Sequence, residues 1–253
     1  MRVDSSDILK LLIDACPTSF DITDANKNQF NGVITMEDSF SPSSDIFNLE
    51  ISCINRKVTV KEAPEQAKLP SFCPERHINI DKSFCLGLSK EVAVYDSVTA
   101  SIWWECIHNY LKNQTVADRT RSWPPQDSLS HGDAAKYQIR AENVANKLGL
   151  AEEYRKAMFS SSSWLRNLVN EVSERDGVFH PADLDQVLSK VNQTTPKLGK
   201  RRKLLVRRVK KLLSCELLRR EEENAFWLSF EGSDITCCQT MPGCPLKKAS
   251  SVK

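Results

Sequence analysis

The sequence PERHINIDKSFCL, residues 74–86, places Cys85 shortly after the triplet His77-Ile78-Asn79. This stretch lies between a segment with the apolar pattern of strands and a segment with that of a helix. A cysteine in such a position is either a small buried apolar residue or a nucleophile. The segments on either side help to choose between the two interpretations.

The chain before this stretch has the pattern of one helix followed by strands. Ser5-Ser6-Asp7 provides cap residues for a helix over residues 8–15, and Pro17 ends it. Apolar residues alternate over residues 30–36 and 47–54, and a third extended segment covers 58–60. This order predicts an antiparallel meander with one face exposed to water.

The chain after this stretch is mainly helical in pattern. Residues 98–111 are apolar with helical spacing, and Trp123-Pro124-Pro125 interrupts the chain. A helix over residues 133–148 ends at Gly149, a good C-cap residue, and another is predicted over 151–159. The serine-rich residues 160–163 are the best candidate for a linker.

The C-terminal part has a different composition. Helices are predicted over residues 164–172, 181–191 and 198–220, and a strand over residues 226–230. Residues 1–160 carry 18 Lys+Arg against 22 Asp+Glu, a net charge of −4, whereas residues 161–253 carry 17 against 11, a net charge of +6. This change of sign suggests two parts with different partners.

The composition indicates a water-soluble globular protein of the cytoplasm. The apolar run at residues 8–13 is too short to span a membrane, and it follows Asp4 and Asp7 where a signal peptide has basic residues. We therefore expect no membrane association. Nine cysteines without a secretory signal indicate a reducing compartment, in which thiols act in chemistry or bind metal.

Three motifs make the chain resemble the ubiquitin-conjugating (E2) family. His77-Ile78-Asn79 is similar to the His-Pro-Asn motif of that family, and Ser83-Phe84-Cys85-Leu86 is similar to its Gly-Ser-Ile-Cys-Leu segment. Ser128-Leu129 through Ala134-Ala135 and Tyr137 resembles its Leu-x-Pro-Glu-Ile-Ala motif. More narrowly, the chain resembles divergent bacterial E2-like proteins associated with antiphage operons.

The sequence departs from the family pattern at several positions. Ile78 stands in place of the proline, Lys82 stands where a glycine is usual, and Gly87 stands where many members carry an acidic residue. The spacing from Asn79 to Cys85 is also shorter than in eukaryotic members. The pair of Asn79 and Cys85 is nevertheless present.

The resemblance implies an α+β, UBC-like fold over residues 1–159, with an N-terminal helix, an antiparallel meander and C-terminal helices. Residues 160–253 would form a mostly helical basic extension with a Cys-rich end. It further implies an E2-like transferase that carries a ubiquitin-like protein as a thioester on Cys85. A separate E1-like enzyme and an acceptor protein would be its partners, because the sequence has no Gly-rich nucleotide site.

The resemblance also assigns roles to three residues. Cys85 would be the nucleophile, and the amide of Asn79 would donate to the oxyanion or brace the loop. His77 would support the site structurally, through hydrogen bonds near the cysteine. Asp81 and Asp96 are candidates for the acidic surface that helps the acceptor amine to lose its proton.

Other interpretations remain for these residues and for the basic segment. Cys85 could be a core thiol, or the fold could bind a ubiquitin-like protein without transferring it. His131 precedes a helix and could cap it or lie near the active site, and we expect the capping role. Residues 197–211 contain nine Lys or Arg, which would suit nucleic acid or an acidic partner, although charged helix faces are usually only solvated.

Two groups of side chains have the chemistry of zinc ligands, namely Cys73, His77 and Cys85 in one group, and Cys237, Cys238, Cys244 and Cys215 in the other. The spacing of the first is not a common zinc pattern, and the second contains no Cys-x2-Cys pair. We therefore predict no metal and no other cofactor.

Overall fold

The computed structural model describes residues 4–37, 44–87, 92–194 and 202–249. The chain divides into two compact units, one made of Met1–Ser128 with Gly232–Lys253 and the other of Leu129–Glu231. The boundary predicted after residue 159 falls inside the second unit, because the helices on both sides of it pack together there.

The first unit opens with a helix and a four-stranded sheet. Helix α1 (Ser5–Asp14) is followed by β1 (Phe20–Ala25), β2 (Gln29–Met36), β3 (Asp45–Ile54) and β4 (Lys57–Glu62). The strands pair in chain order, and every pairing is antiparallel. The predicted α+β fold, with a helix before an antiparallel meander, is confirmed.

The N-terminal cap of α1 lies one residue before the predicted cap. The Asp4 carboxylate accepts hydrogen bonds from the backbone N–H groups of Ser6 and Asp7, both at 2.9 Å. The Asp7 carboxylate accepts in return from the N–H of Asp4. Such a reciprocal capping box satisfies donors that the first helical turn leaves without partners.

Strand β1 is the element that sequence pattern missed. Only Phe20 of its six residues is buried, so the strand has no apolar alternation. The ring of Phe20 packs on β2 at Gly32, where a Cβ atom would lie 2.3 Å from the ring. Gly32 therefore permits the close approach of the two strands.

A long helix covers the sheet. Two short 3-10 turns, Pro64–Gln66 and Pro74–Arg76, lead from β4 towards helix α2 (Ser97–Thr120), which extends beyond the predicted residues 98–111 at both ends. The indole N–H of Trp104 donates to the carbonyl oxygen of Leu12 at 2.8 Å, and its ring packs against Phe20 and Phe30. These contacts join α1, the sheet and α2 in one core.

The second unit is helical. It contains α3 (Ala134–Leu148), α4 (Ala151–Phe159), α5 (Trp164–Glu174), α6 (Pro181–Thr194) and α7 (Arg202–Leu228). Gly149 ends α3 with a φ of 71°, as predicted for a C-cap glycine. The strand predicted over residues 226–230 is wrong, because α7 continues to Leu228 and is followed by a turn.

A buried carboxylate connects two helices of this unit. Glu216 of α7 is 1% exposed and accepts hydrogen bonds from Arg219, Arg220 and the hydroxyl of Tyr154 in α4. These hydrogen bonds keep the pKa of Glu216 below its ordinary value, although burial alone would raise it. Across the described ranges, no helix has both the length and the apolar character needed to cross a membrane.

Candidate active site

Cys85 lies at the end of a tight hairpin beside β4. Asn79 and Ser83 pair across a three-residue loop, in which the N–H of Lys82 donates to the carbonyl oxygen of Asn79. Lys82 has a φ of 67°, in the left-handed region that favours glycine. This geometry explains why a glycine suits the position and how the chain turns sharply before Cys85.

Phe84 and Cys85, which follow this loop, are hydrogen-bonded to two neighbouring segments. The N–H of Phe84 donates to the carbonyl oxygen of Val60 in β4 at 2.8 Å. The N–H of Cys85 donates to the carbonyl oxygen of His77, also at 2.8 Å. The backbone of Cys85 is therefore held between the sheet and the loop that carries His77.

The thiol of Cys85 is half-buried and faces a cavity of about 300 Å³. Val60, Phe84 and Trp103 line its apolar side, and Lys57, Asn79 and Ser83 contribute polar groups. Burial raises the pKa of the Cys85 thiol, whereas the N–H of Gly87 and the ammonium of Lys57 act in the opposite direction. Cys85 is thus only half-buried, so the alternative in which it is a thiol of the buried core agrees only partly with the structure.

Asn79 lines the same cavity and is exposed. Its side-chain N–H donates to the hydroxyl of Ser83 at 3.0 Å, and that hydroxyl donates to the Asp81 carboxylate at 2.6 Å. One amide donor thus braces the loop. An asparagine amide has two N–H donors, so this bond uses only part of its capacity.

His77 lies on the other side of the Cys85 backbone from β4. Its side chain is buried, and its ring centre is 4.9 Å from that of Trp123. Its carbonyl oxygen accepts from the N–H of Cys85 and from the hydroxyl of Tyr110. The contact between His77 and Cys85 is therefore a hydrogen bond between their backbones.

Arg76 is a site residue that sequence reasoning missed. Its side chain is 1% exposed and donates to the Gln114 side-chain oxygen at 2.8 Å and to the Gln114 carbonyl oxygen at 3.2 Å. Gln114 and Tyr110 in turn donate to the Arg76 carbonyl oxygen. The available signal was the polar side chains at positions 110, 114 and 118, which share one face of α2.

The two candidate acidic residues have local partners. Asp81 accepts from both the N–H and the hydroxyl of Ser83, and these bonds lower the pKa of Asp81. Asp96 caps α2 by accepting from the N–H and the hydroxyl of Thr99, which lowers the pKa of Asp96. Both carboxylates are therefore ionised at neutral pH.

His131 does not have the predicted capping role. Helix α3 begins without a side-chain cap, and the ring of His131 instead pairs with the carboxylate of Glu223 in α7. The same ring stacks on Phe226 at 5.0 Å between centres. His131 thus joins the start of α3 to the end of α7 within the second unit.

The C-terminal cysteines return to the first unit. Cys237 and Cys244 are buried, and the half-buried Cys238 shares the hydroxyl of Thr240 as a neighbour with Cys73. Among the side chains that the structure describes, no three His, Cys, Asp or Glu converge to hold a metal ion. Neither group of candidate zinc ligands is assembled.

The basic segment is only partly described. Lys197, Lys200 and Arg201 lie outside the described residues. The exposed cations on the first turns of α7 are Arg202, Lys203, Arg207, Lys210 and Lys211. On the opposite side, Leu205, Val209 and Leu212 are buried, so this helix both packs and presents positive charge.

Two family models match the chain. Residues 21–125 match a prokaryotic E2 domain, and residues 130–246 match a cysteine-rich domain, C-terminal to E2 domain. Comparison with curated proteins and with solved structures finds no match. The first model covers the sheet, Asn79, Cys85 and α2. The chain therefore belongs to an E2-like bacterial family, in which a prokaryotic E2 domain precedes a cysteine-rich domain.

Proposed function

We propose that the chain accepts the C-terminal acyl group of a ubiquitin-like protein on Cys85 and transfers it to an amine. In the first step the Cys85 thiolate attacks the thioester on an E1-like partner, and the partner's thiolate leaves. In the second step an amine attacks the Cys85 thioester, an amide forms, and the Cys85 thiolate leaves. The observation that carries the proposal is the half-buried thiol of Cys85 in a cavity shared with Asn79.

The surroundings of Cys85 suit a thioester carrier. A buried thioester would exclude its acceptor, whereas a half-buried sulfur beside a cavity of about 300 Å³ leaves room for the acyl group. Burial raises the pKa of the Cys85 thiol overall, so the thiol is mainly protonated at neutral pH. Lys57 and the N–H of Gly87 supply the opposing stabilisation of the thiolate.

Asn79 would act on the tetrahedral intermediate. Attack on the thioester carbonyl creates an oxyanion, and one preorganised donor for such an oxyanion is worth about 3–4 kcal/mol. One N–H of Asn79 already braces Ser83, which fixes the direction of the amide. His77 would contribute through its carbonyl oxygen, which positions the backbone of Cys85.

The partners follow from this chemistry. A separate E1-like enzyme would supply ATP-dependent activation, the reaction would take place in the cytoplasm, and the acceptor would be a protein amine. The similarity of the motifs to bacterial proteins of antiphage operons supports a role in defence against phage.

A second function is favoured by the exposed cations of α7. The E2-like domain would then be a non-catalytic binding module attached to nucleic acid or to an acidic partner. Binding through phosphate contacts falls steeply with salt. Strong binding to nucleic acid that persists in Cys85→Ala and disappears without residues 197–211 would support this function.

Reconstitution tests the conjugating function directly. The chain is mixed with the E1-like partner, the ubiquitin-like protein and ATP, and the products are separated with and without a thiol reductant. We expect a reducible adduct for the wild type, a reductant-resistant oxyester for Cys85→Ser and no adduct for Cys85→Ala. Cys106→Ala is the matched control, because Cys106 is also half-buried. An adduct that persists in Cys85→Ala would refute the proposal.

A further inference from the structure

The pairing of a buried with a half-exposed thiol lies outside the E2 chemistry described above. Cys73 precedes the turn that carries Arg76, and Cys238 lies in the C-terminal segment of the same unit. Cys73 is 1% exposed, Cys238 is half-buried, and the sulfurs of both lie within 4.0 Å of the hydroxyl of Thr240. Because 165 positions of the sequence separate the two cysteines, this proximity is a product of the fold.

The C-terminal segment is held in this place by further contacts. Arg121, at the end of α2, donates to the carbonyl oxygens of Gln239 at 2.9 Å and Thr240 at 3.3 Å. The hydroxyl of Thr240 lies 3.1 Å from the sulfur of Cys238 and 4.0 Å from that of Cys73. Both sulfurs therefore share one polar neighbour.

The two thiols differ in their ionisation. The Cys73 thiol, the hydroxyl and N–H of Thr240 and the guanidinium of Arg76 lower the pKa of Cys238, against an opposing effect of burial. The neighbouring Cys238 and burial raise the pKa of Cys73. A low-pKa, accessible thiol beside a buried, protonated one is the arrangement of a reactive dithiol, in which the first attacks and the second resolves.

We propose that Cys238 and Cys73 form a peroxide-reactive dithiol, with Cys238 as the attacking and Cys73 as the resolving thiol. The Cys238 thiolate attacks one oxygen of hydrogen peroxide, the O–O bond breaks, and hydroxide leaves, so that Cys238 becomes a sulfenic acid. The Cys73 thiol then attacks the sulfur of Cys238, the S–O bond breaks, and water leaves. The two thiols lose two electrons, which reduce the peroxide to water.

The disulfide would tie the C-terminal segment to the catalytic loop. The N–H and the carbonyl of Cys73 exchange hydrogen bonds with Ile78, and Ile78 pairs with Phe84 beside Cys85. Oxidation would thus add a covalent bond two backbone pairings away from Cys85. The dithiol itself does not rest on the proposed function, because its reaction needs only peroxide.

Peptide mapping of the full-length wild type tests the proposal. The reduced protein is treated with increasing hydrogen peroxide, free thiols are alkylated, and the non-reducing digest is analysed by mass spectrometry. We expect a cross-linked peptide pair with Cys73 and Cys238 to form first and to disappear with dithiothreitol. The half-buried Cys106 and the buried Cys237 and Cys244 are internal references that should oxidise later.

Variants separate the two roles. In Cys73→Ala the sulfenic acid of Cys238 has no resolving thiol, so it should persist and be trapped by dimedone several-fold more than in the wild type. It should form more slowly there, because the Cys73 thiol no longer lowers the pKa of Cys238. In Cys238→Ala, Cys73 should stay reduced. Cys85→Ala should form the disulfide like the wild type, so failure of the conjugating function would leave this result unchanged. Cys238 reacting no faster than Cys106, or oxidising without a bond to Cys73, would overturn the proposal. The wild-type map decides the matter even if a variant does not fold.

Discussion

The backbone N–H of Cys85 donates to the carbonyl oxygen of His77, and the hydroxyl of Tyr110 donates to the same oxygen. The candidate nucleophile is therefore positioned by the main chain of His77, while the imidazole packs against Trp123. His77 itself has a left-handed backbone conformation, with a φ of 54°. Residues that hold this loop on α2 should accordingly control the geometry of Cys85.

The buried contact between Gln114 and Arg76 provides the first prediction. Gln114→Leu removes one acceptor of the buried guanidinium and one donor to the Arg76 carbonyl oxygen. We expect the free energy of unfolding to fall by about 1.5–3 kcal/mol, the usual range for hydrogen bonds to charged groups. Urea denaturation followed by far-UV circular dichroism measures this change.

Asp118→Asn is the matched control for that variant. Asp118 also pairs with Arg76, at 3.4 Å, but its side chain is 75% exposed. Because the Asp118 side of this ion pair is exposed, it should contribute at most about 1 kcal/mol, so this variant should lose less stability than Gln114→Leu. Equal losses in the two variants would contradict the importance of the buried contact.

The left-handed conformation of Lys82 leads to a second prediction. A non-glycine residue at a φ of 67° has an unfavourable contact between Cβ and the backbone that glycine lacks. Glycine also has more freedom in the unfolded chain, which offsets part of the gain. We expect Lys82→Gly to stabilise the protein by about 0.5–1 kcal/mol in thermal and urea unfolding.

Ile80→Gly is the control in the same loop. Ile80 is 63% exposed and is not among the residues with positive φ. Glycine there brings only the entropic cost, so the variant should be less stable than the wild type. If both glycine variants lose stability to the same extent, backbone strain at Lys82 is not significant.

Sequence pattern predicted the sheet where one face is buried. Phe47, Leu49 and Ile51 of β3 alternate with polar residues, and all three are buried. Strand β1 has no such alternation, because Phe20 is its only buried residue. The strand is held mainly by its antiparallel pairing with β2. Periodicity reports burial, so it misses a strand that is held mainly by backbone hydrogen bonds.

The residues of the candidate site also differ in whether the sequence predicts them. Local motifs identified Asn79 and Cys85, which lie together in one cavity. Neither the burial of Arg76 nor the proximity of Cys73 and Cys238 at Thr240 has a local signature, because each brings together residues far apart in the chain. The aromatic residues at the end of α7 favour a strand when the sequence is considered alone. In the structure they lie on a helix, where they pack against His131.

The contact of the Glu223 carboxylate with His131 predicts a pH dependence of stability. Burial alone would raise the pKa of Glu223, but hydrogen bonds from His131 and Trp227 outweigh it and hold the pKa below the ordinary value of 4.5. Such a carboxylate stabilises the fold above pH 4.5, and the stabilisation is lost as the pH falls through the folded value. Glu223→Gln should lower the free energy of unfolding at pH 7 by about 1 kcal/mol or more.

The pH profile distinguishes this effect from a general loss of packing. The difference between the wild type and Glu223→Gln should shrink as the pH falls below 4.5 in urea titrations at several pH values. Glu221→Gln, at an exposed position of α7, should follow the wild type throughout. A difference that stays constant with pH would mean that the charge of Glu223 is unimportant.

The ammonium of Lys57 bears on the reactivity of Cys85. Lys57 lines the cavity of Cys85 and counteracts the rise in thiol pKa that burial causes. In Lys57→Gln this opposition is lost, so the pKa of Cys85 should rise further and its thiolate should form only at higher pH. The alkylation rate at Cys85, followed by mass spectrometry across a pH series, should shift to higher pH in the variant. Lys61→Gln removes a nearby cation that pairs with Glu50 and should leave the profile unchanged. A shift to lower pH in Lys57→Gln, or equal shifts in both variants, would show that Lys57 does not stabilise the Cys85 thiolate.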